Sequence, residues 1–135
     1  MPTLTRLMAL MSVVGLMAGC VAPPPGKSTT ATTETFLKYA GPPIDSFTYL
    51  GHYDAFRTLG GNDVAIWTTI NDAYLIRVRS PCVELPFANV VELTSTAHTV
   101  SRTYDYVIVD HDHCHIDTIR HVDYGAMKRA HLAGP

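Results

Sequence analysis

Apolar residues recur along the chain in short runs of strand type, separated by turn residues. The run VAIWTT at 64–69 is apolar on both faces and rich in β-branched and aromatic residues, which is typical of a buried strand. The run AYLIRVR at 73–79 alternates, so that one face is apolar and the other carries Leu75 together with Arg77 and Arg79. Asn71 and Asp72 between the runs favour a tight turn, and the pattern therefore predicts a β-hairpin.

The remaining pattern predicts more short strands and one helix. Strands are expected at 47–53, 90–93, 104–109 and 114–122, and a helix at 123–132. Asp123 precedes the helix as a plausible N-cap. The predicted fold class is therefore α+β and β-rich: a small antiparallel sheet or barrel-like domain of five or six short strands with a short C-terminal helix.

The N-terminus has the pattern of an export signal. Arg6 precedes an uncharged apolar run at 7–18, and the small residues Ala18 and Gly19 precede Cys20. A positive start, a short apolar core and a small-residue exit predict a secretory signal peptide at 1–19. The ending LMAGC resembles the lipobox of bacterial lipoprotein precursors, which implies lipidation of Cys20. An ordinary cleaved signal with an incidental cysteine is the alternative.

The next segment, 20–35, holds three consecutive prolines and then mostly threonine, serine and alanine. Such a composition predicts a lipid-anchored, solvated tether rather than a packed element. The folded part is then a single periplasmic domain at 36–135. By resemblance to lipoprotein sorting rules, Val21 rather than aspartate after the cysteine favours the outer membrane over the inner membrane.

Charge argues against one class of partner. The full chain has a formal net charge of −2, and removal of the signal, with its single arginine, makes the balance more acidic. The sequence shows no basic stripe that could neutralise phosphates. We therefore expect a membrane partner through the anchor, and possible envelope-protein or cell-wall partners, but no nucleic acid.

The chain has three cysteines. If Cys20 is lipidated and the chain is exported, Cys82–Cys114 is the one intramolecular disulfide left to form. The chain-entropy model gives such a loop a stabilisation of about 3–4 kcal/mol. A free reactive pair or thiolate metal ligands are the alternatives.

The segment DHDHCH at 110–115 is the densest group of candidate ligands. We expect 110–113 to form the turn of a hairpin, with Cys114 pointing inward on the return strand. If the strand instead continues through this segment, His111, His113 and His115 share one face. Together with Asp112 they then form a candidate Zn²⁺ or Cu²⁺ site. No spaced metal signature such as His-Glu-x-x-His or Cys-x-x-Cys accompanies them.

No catalytic motif is present: the chain lacks Gly-x-Ser-x-Gly, a phosphate loop and a dinucleotide-binding glycine pattern. A Ser–His–Asp arrangement could be assembled in space from Ser101, His115 and Asp105. Triples of this composition are common, so we assign no catalytic residue.

Several spaced segments together resemble a known family. They are AIWTTINDAYLIRV, Pro81-Cys82 with Leu85, SRTYDYVIVD and CHIDTIRHVD. The pattern is similar to that of a family of short bacterial envelope lipoproteins whose domain has no known function, over about 47–128. The resemblance implies a periplasm-facing lipoprotein with paired cysteines, and it brings no activity or cofactor.

Three functional interpretations remain open. The favoured one is a non-enzymatic, periplasm-facing envelope lipoprotein that serves as a binding or structural module. The second is a periplasmic Zn/Cu-binding lipoprotein that uses the histidines of 111–115. The third is an enzyme of unrecognised type.

Overall fold

The computed structural model describes residues 29–132. Its elements in chain order are α1 (Thr29–Tyr39), β1 (Ala40–Ile44), β2 (Ser46–Thr48), β3 (Ala55–Gly60), β4 (Asp63–Trp67), β5 (Ala73–Val78), a 3₁₀ helix (Leu85–Phe87), β6 (Glu92–Leu93), β7 (Thr99–Ser101), β8 (Tyr106–Val109), β9 (Asp112–Val122) and α2 (Tyr124–Arg129).

Seven of these strands form one curled antiparallel sheet in the order β3-β4-β5-β9-β8-β6, with β1 also paired to β9. Strand β9 organises the sheet because it is 11 residues long. Its first part pairs with β8, and its second part lies between β5 and β1. A register shift opposite Arg77 and Val78 marks a bulge in the pairing of β5 with β9. Strands β2 and β7 form a separate pair.

Each face of the sheet has its own hydrophobic core. Strand β4 contributes to both, because Val64 and Ile66 point into the first core while Ala65 and Trp67 point into the second. All five residues of β4 are buried. The first core also holds Cys82, Cys114 and the aliphatic residues of β8 and β9. The second lies between the sheet and the two helices, and includes Phe36, Leu75, Tyr124 and Met127.

The predicted fold class is confirmed: the chain is β-rich with a short C-terminal helix, and the sheet is a half-barrel. The hairpin of β4 and β5 is confirmed, although its loop spans the five residues 68–72. The strand predicted at 47–53 shortens to Ser46–Thr48. Asp123 caps α2 as expected, since its side chain accepts a hydrogen bond from the backbone amide of Ala126 at 2.8 Å.

The predicted N-terminal boundary of the folded domain, residue 36, needs a correction, because α1 begins at Thr29, inside the predicted tether. Threonine-rich helices have weak intrinsic propensity, so the polar composition of the segment argued for a tether. Tertiary packing stabilises this helix in place of intrinsic propensity. Phe36 is 1% exposed, and its ring centroid lies 5.8 Å from that of Trp67. The predicted signal peptide 1–19 and the lipidation site Cys20 lie outside the described residues.

Candidate functional site

The histidine-rich segment forms a tighter turn than the sequence predicts. Val109 pairs directly with Asp112, so Asp110 and His111 alone make the connection between β8 and β9. Asp110 adopts a φ of 53°, in the left-handed region that aspartate tolerates. The prediction that the turn extends to His113 is therefore wrong, because Asp112 and His113 belong to β9.

This geometry separates the candidate metal ligands. The imidazoles of His113 and His115 each make an edge-to-face contact with the Tyr106 ring, with centroid distances of 6.4 and 5.2 Å. Both ring nitrogens of His115 lie against carbonyl oxygens, Nδ1 at 2.7 Å and Nε2 at 3.1 Å. The side chain of His111 projects from the turn and is 95% exposed. Among residues 29–132, no three His, Cys, Asp or Glu side chains are placed to hold one metal ion, so the predicted site at His111, His113, His115 and Asp112 is not assembled.

The possible catalytic triple also has a different role. The carboxylate of Asp105 is 3% exposed and accepts hydrogen bonds from the backbone amide of Ser101 and the hydroxyl of Thr94, both at 2.7 Å. The hydroxyl of Ser101 accepts from the backbone amide of Thr103, while Nε2 of His115 faces the carbonyl of Thr103. These contacts hold the β7–β8 turn together and contain no serine–histidine hydrogen bond.

The disulfide is confirmed. Cys82 and Cys114 are bonded, with their Cα atoms 5.7 Å apart, and both are 3% exposed. Cys114 points into the first core beside Ile116, as the alternation along β9 predicts. The bond fastens the loop after β5 to the beginning of β9.

The strongest candidate site is a cavity on the second face of the sheet, which we call the arginine cavity. Its volume is about 80 Å³, and it is lined by Leu37, Asp63, Leu75, Arg77, Thr118 and Arg120. Strands β4, β5 and β9 contribute the polar residues side by side, and α1 contributes Leu37. The cavity therefore lies where the apolar contact of α1 with the sheet gives way to charged side chains.

One wall of the arginine cavity is a bidentate ion pair. Arg77 donates from Nε to Oδ1 of Asp63 at 2.8 Å and from Nη2 to Oδ2 at 3.0 Å. The hydrogen bond to Asp63 and its negative charge raise the pKa of Arg77, against an opposing effect of burial. The side chain of Arg77 is 49% exposed, whereas that of Asp63 is 11% exposed. Both oxygens of the carboxylate are thus occupied, and Arg77 still presents a surface to solvent.

The other wall carries a less fully paired cation. Nη1 of Arg120 donates to the carbonyl oxygen of Gly41 in β1 at 2.8 Å, which orients the half-buried side chain toward that strand. Within residues 29–132 the structure gives Arg120 no other hydrogen-bond partner. Since Asp63 balances Arg77, Arg120 leaves the cavity with an unbalanced positive charge. Nη2 and Nε of Arg120 are available to an anion.

A larger open groove adjoins the arginine cavity and shares Leu37, Asp63 and Arg77 with it. This groove measures about 600 Å³, and its other lining residues include Glu34, Leu59 and Pro86. The cavity alone is smaller than the roughly 300–1,000 Å³ of pockets that enclose a whole small molecule. The two spaces together suit a ligand whose anionic end enters the cavity while an apolar part lies in the groove.

The sequence indicated part of this site. It placed Arg77 on the outer face of its strand together with Leu75. It missed the covering helix, because 20–35 was expected to be a tether, and it gave no reason to join Arg77 with Arg120. The pairing of β5 with β9 places Leu75 opposite Arg120, and no local pattern in the chain predicts that contact.

The described helices include none that is long and apolar enough to cross a membrane.

Comparison with known proteins places the chain in a family. No curated protein and no solved structure matches the chain. A family model, described as a family of unknown function, matches residues 3–133 and so covers nearly the whole chain. Two parts of the resemblance drawn from the sequence are confirmed: membership of a family of unknown function, and a cysteine pair that forms a disulfide. Its lipoprotein character and bacterial origin stay predictions. The chain belongs to the family of unknown function DUF6491.

Proposed function

We propose that the protein is a periplasm-facing envelope lipoprotein, anchored through Cys20, whose β-rich domain binds an anionic ligand in the arginine cavity. The observation that carries the binding function is the cavity itself, with an ion-paired Arg77 on one side and a partly unpaired Arg120 on the other. A binding role is favoured over chemistry, because each oxygen of the Asp63 carboxylate already accepts a hydrogen bond from Arg77.

The cysteines support the anchored location. Two of the three cysteines are joined to each other in the fold, which leaves Cys20 as the remaining thiol. A disulfide of this kind persists in oxidising compartments such as the bacterial periplasm. Cys20 follows a signal-like segment, and acylation with more than one chain would make the anchoring stable.

The ligand class follows from the lining of the two spaces. Guanidinium groups bind carboxylates and phosphates through charge-assisted hydrogen bonds. Leu37, which is 40% exposed, flanks these groups, and Pro86 adds apolar surface along the groove. A carboxylate with an aliphatic tail meets both requirements.

The anchor is tested by expressing the full precursor in a bacterial host with an alkyne-bearing fatty acid and detecting the label after a click reaction. We expect labelling of the wild type and fractionation with the outer membrane. Cys20→Ala should lose the label, whereas the matched control, Cys82→Ser with Cys114→Ser, should keep it. Equal labelling of wild type and Cys20→Ala, or no labelling of either, would refute the anchor.

The binding function is tested on the full mature protein by NMR titration with hexanoate, with hexylamine as the charge-reversed probe. We expect hexanoate to shift the Arg77 and Arg120 Nε–H signals and the Leu37 and Leu75 methyls. Loss of one charge-assisted hydrogen bond costs about 1.5–3 kcal/mol, so Arg120→Gln should weaken hexanoate at least tenfold. Arg102→Gln is the control, because Arg102 pairs with Asp45 away from the cavity. Equal effects of hexanoate and hexylamine, or no effect of Arg120→Gln, would reject this ligand class.

A further inference from the structure

Three exposed apolar side chains lie in the loop between β5 and β6, residues 79–91, which we call the apolar loop. Val83 and Val90 are each 63% exposed, and Phe87 is 78% exposed, the highest value among the large exposed hydrophobics of the described residues. Phe87 and Val90 line the same shallow pocket. Grouped exposed apolar side chains mark an interaction surface more often than single ones do.

The apolar loop is held firmly, so its exposed side chains are not the result of a loose segment. Cys82 is bonded to Cys114 at one end of the loop, and Val91 is 1% exposed at the other. Between them, Leu85 is fully buried in the first core. These three attachments fix the backbone while Val83, Phe87 and Val90 face away from the core.

The apolar loop lies at the end of the domain where α1 begins. Pro86, within the loop, lines the same groove as Thr33 and Glu34 of α1. The hydroxyl of Thr33 donates to the carbonyl oxygen of Leu59 at 3.0 Å, which places the early turns of α1 beside the β3–β4 turn. The N-terminal part of α1 therefore lies on the side of the domain that carries the apolar loop.

The connecting chain is short. Nine residue steps separate Cys20 from Thr29, and a fully extended chain spans at most about 3.3–3.6 Å per residue. An acylated Cys20 would thus hold the start of α1 within about 30 Å of the lipid surface. At such a distance a weak contact benefits from a high effective concentration, so a few apolar side chains are enough to orient the domain.

We propose that the apolar loop rests in the interfacial layer of the membrane, with Phe87 as its deepest side chain. This inference rests on the lipid anchor of the proposed function. The stretch 81–91 contains Glu84 and no lysine or arginine, so the contact uses apolar insertion rather than attraction to anionic lipid headgroups. The β4–β5 loop then points away from the membrane, because it lies at the opposite end of β4.

The experiment uses the mature acylated protein, with acylation verified by intact mass, reconstituted into phosphatidylethanolamine/phosphatidylglycerol vesicles. Phe87→Trp supplies a fluorescent reporter, against a background from Trp67, which is 2% exposed. The matched control is Ile70→Trp in the β4–β5 loop, since Ile70 is 73% exposed. We expect blue-shifted emission from the residue-87 reporter and at least twofold stronger quenching by brominated lipid than for the control. Far-UV circular dichroism checks that both variants fold.

Each other outcome overturns the inference in a distinguishable way. If the acylated protein binds vesicles but the residue-87 reporter stays water-exposed, the membrane contact is wrong and the anchor stands. If the mature protein carries no acyl group, both the anchor and this inference fail. If the emission shifts with protein concentration and without lipid, the apolar loop joins two copies of the chain instead. Equal quenching at residues 70 and 87 would show that the domain has no preferred orientation.

Discussion

Asp63 and Arg77 face each other across β4 and β5 and are joined by two hydrogen bonds of 2.8 and 3.0 Å. The pair is unequal, because Asp63 is nearly buried while Arg77 remains about half exposed. The free-energy cost of breaking this ion pair should therefore depend on which partner is replaced.

We expect Arg77→Met to destabilise the domain more than Asp63→Asn does. The first change leaves a nearly buried carboxylate without its donor, at a cost of about 2–3 kcal/mol, whereas the second leaves a guanidinium that water can solvate, at a cost of about 1 kcal/mol. Urea unfolding monitored by circular dichroism measures both values. If Asp63→Asn proved more destabilising than Arg77→Met, Arg77 would contribute to stability mainly as an unpaired surface charge.

Removing the disulfide should lower stability substantially. Cys82→Ser with Cys114→Ser opens a loop with a sequence separation of 32 residues, and the chain-entropy model predicts a loss of about 3–4 kcal/mol. Calorimetry of the double variant against the wild type gives the value, and the wild type with added reductant provides an independent check. A change below about 1 kcal/mol would indicate that the reduced chain is already constrained.

The buried carboxylate of Asp105 should matter for stability. Asp105→Ala removes the acceptor for Ser101 and Thr94 and leaves both donors unsatisfied, at a cost of about 2–3 kcal/mol. Asp105→Asn keeps one acceptor oxygen and should lose less. The control is Asp117→Ala, because Asp117 is half exposed and its contacts are a 3.8 Å ion pair with Arg79 and a 3.3 Å hydrogen bond from the exposed hydroxyl of Thr118. Thermal melts that rank Asp117→Ala above Asp105→Ala in destabilisation would contradict this assignment.

Alkaline pH should destabilise the fold through two tyrosines. Burial, together with the neighbouring Tyr53 and Glu92, raises the pKa of Tyr49, and burial together with Asp72 raises the pKa of Tyr74. A tyrosine whose pKa is higher in the folded state than in the unfolded state favours folding fully below the unfolded pKa of about 10. That contribution is lost as the pH rises through the higher folded pKa.

The measurement for this prediction is Tm between pH 8 and pH 11.5. Tyr49→Phe and Tyr74→Phe should each reduce the alkaline fall in Tm. Tyr104→Phe should leave it unchanged, because Tyr104 is 76% exposed. If Tyr49→Phe and Tyr74→Phe both kept the pH profile of the wild type, these two tyrosines would not control alkaline stability.

The candidate site was only partly predictable, for a reason visible in particular residues. Alternation along β5 showed that Leu75 and Arg77 share a face, because strand periodicity is a local property. The position of Arg120 on that face depends on the bulge in the β5–β9 pairing, which interrupts the two-residue period. Leu37 enters the cavity through a helix that the polar composition of its segment concealed.

The sequence by itself determined the β-rich fold class, the cysteine pair, the β4–β5 hairpin and the capped C-terminal helix. These features depend on local periodicity, on turn chemistry and on the small number of possible cysteine pairings. Only the tertiary structure decided that 29–35 is helical and that the histidines of 111–115 assemble no metal site within residues 29–132. It also decided that Arg77 and Arg120 line one cavity with Leu37 of α1. Those features depend on contacts between residues distant in the chain, where packing against Trp67 and the register of β9 outweigh local preference.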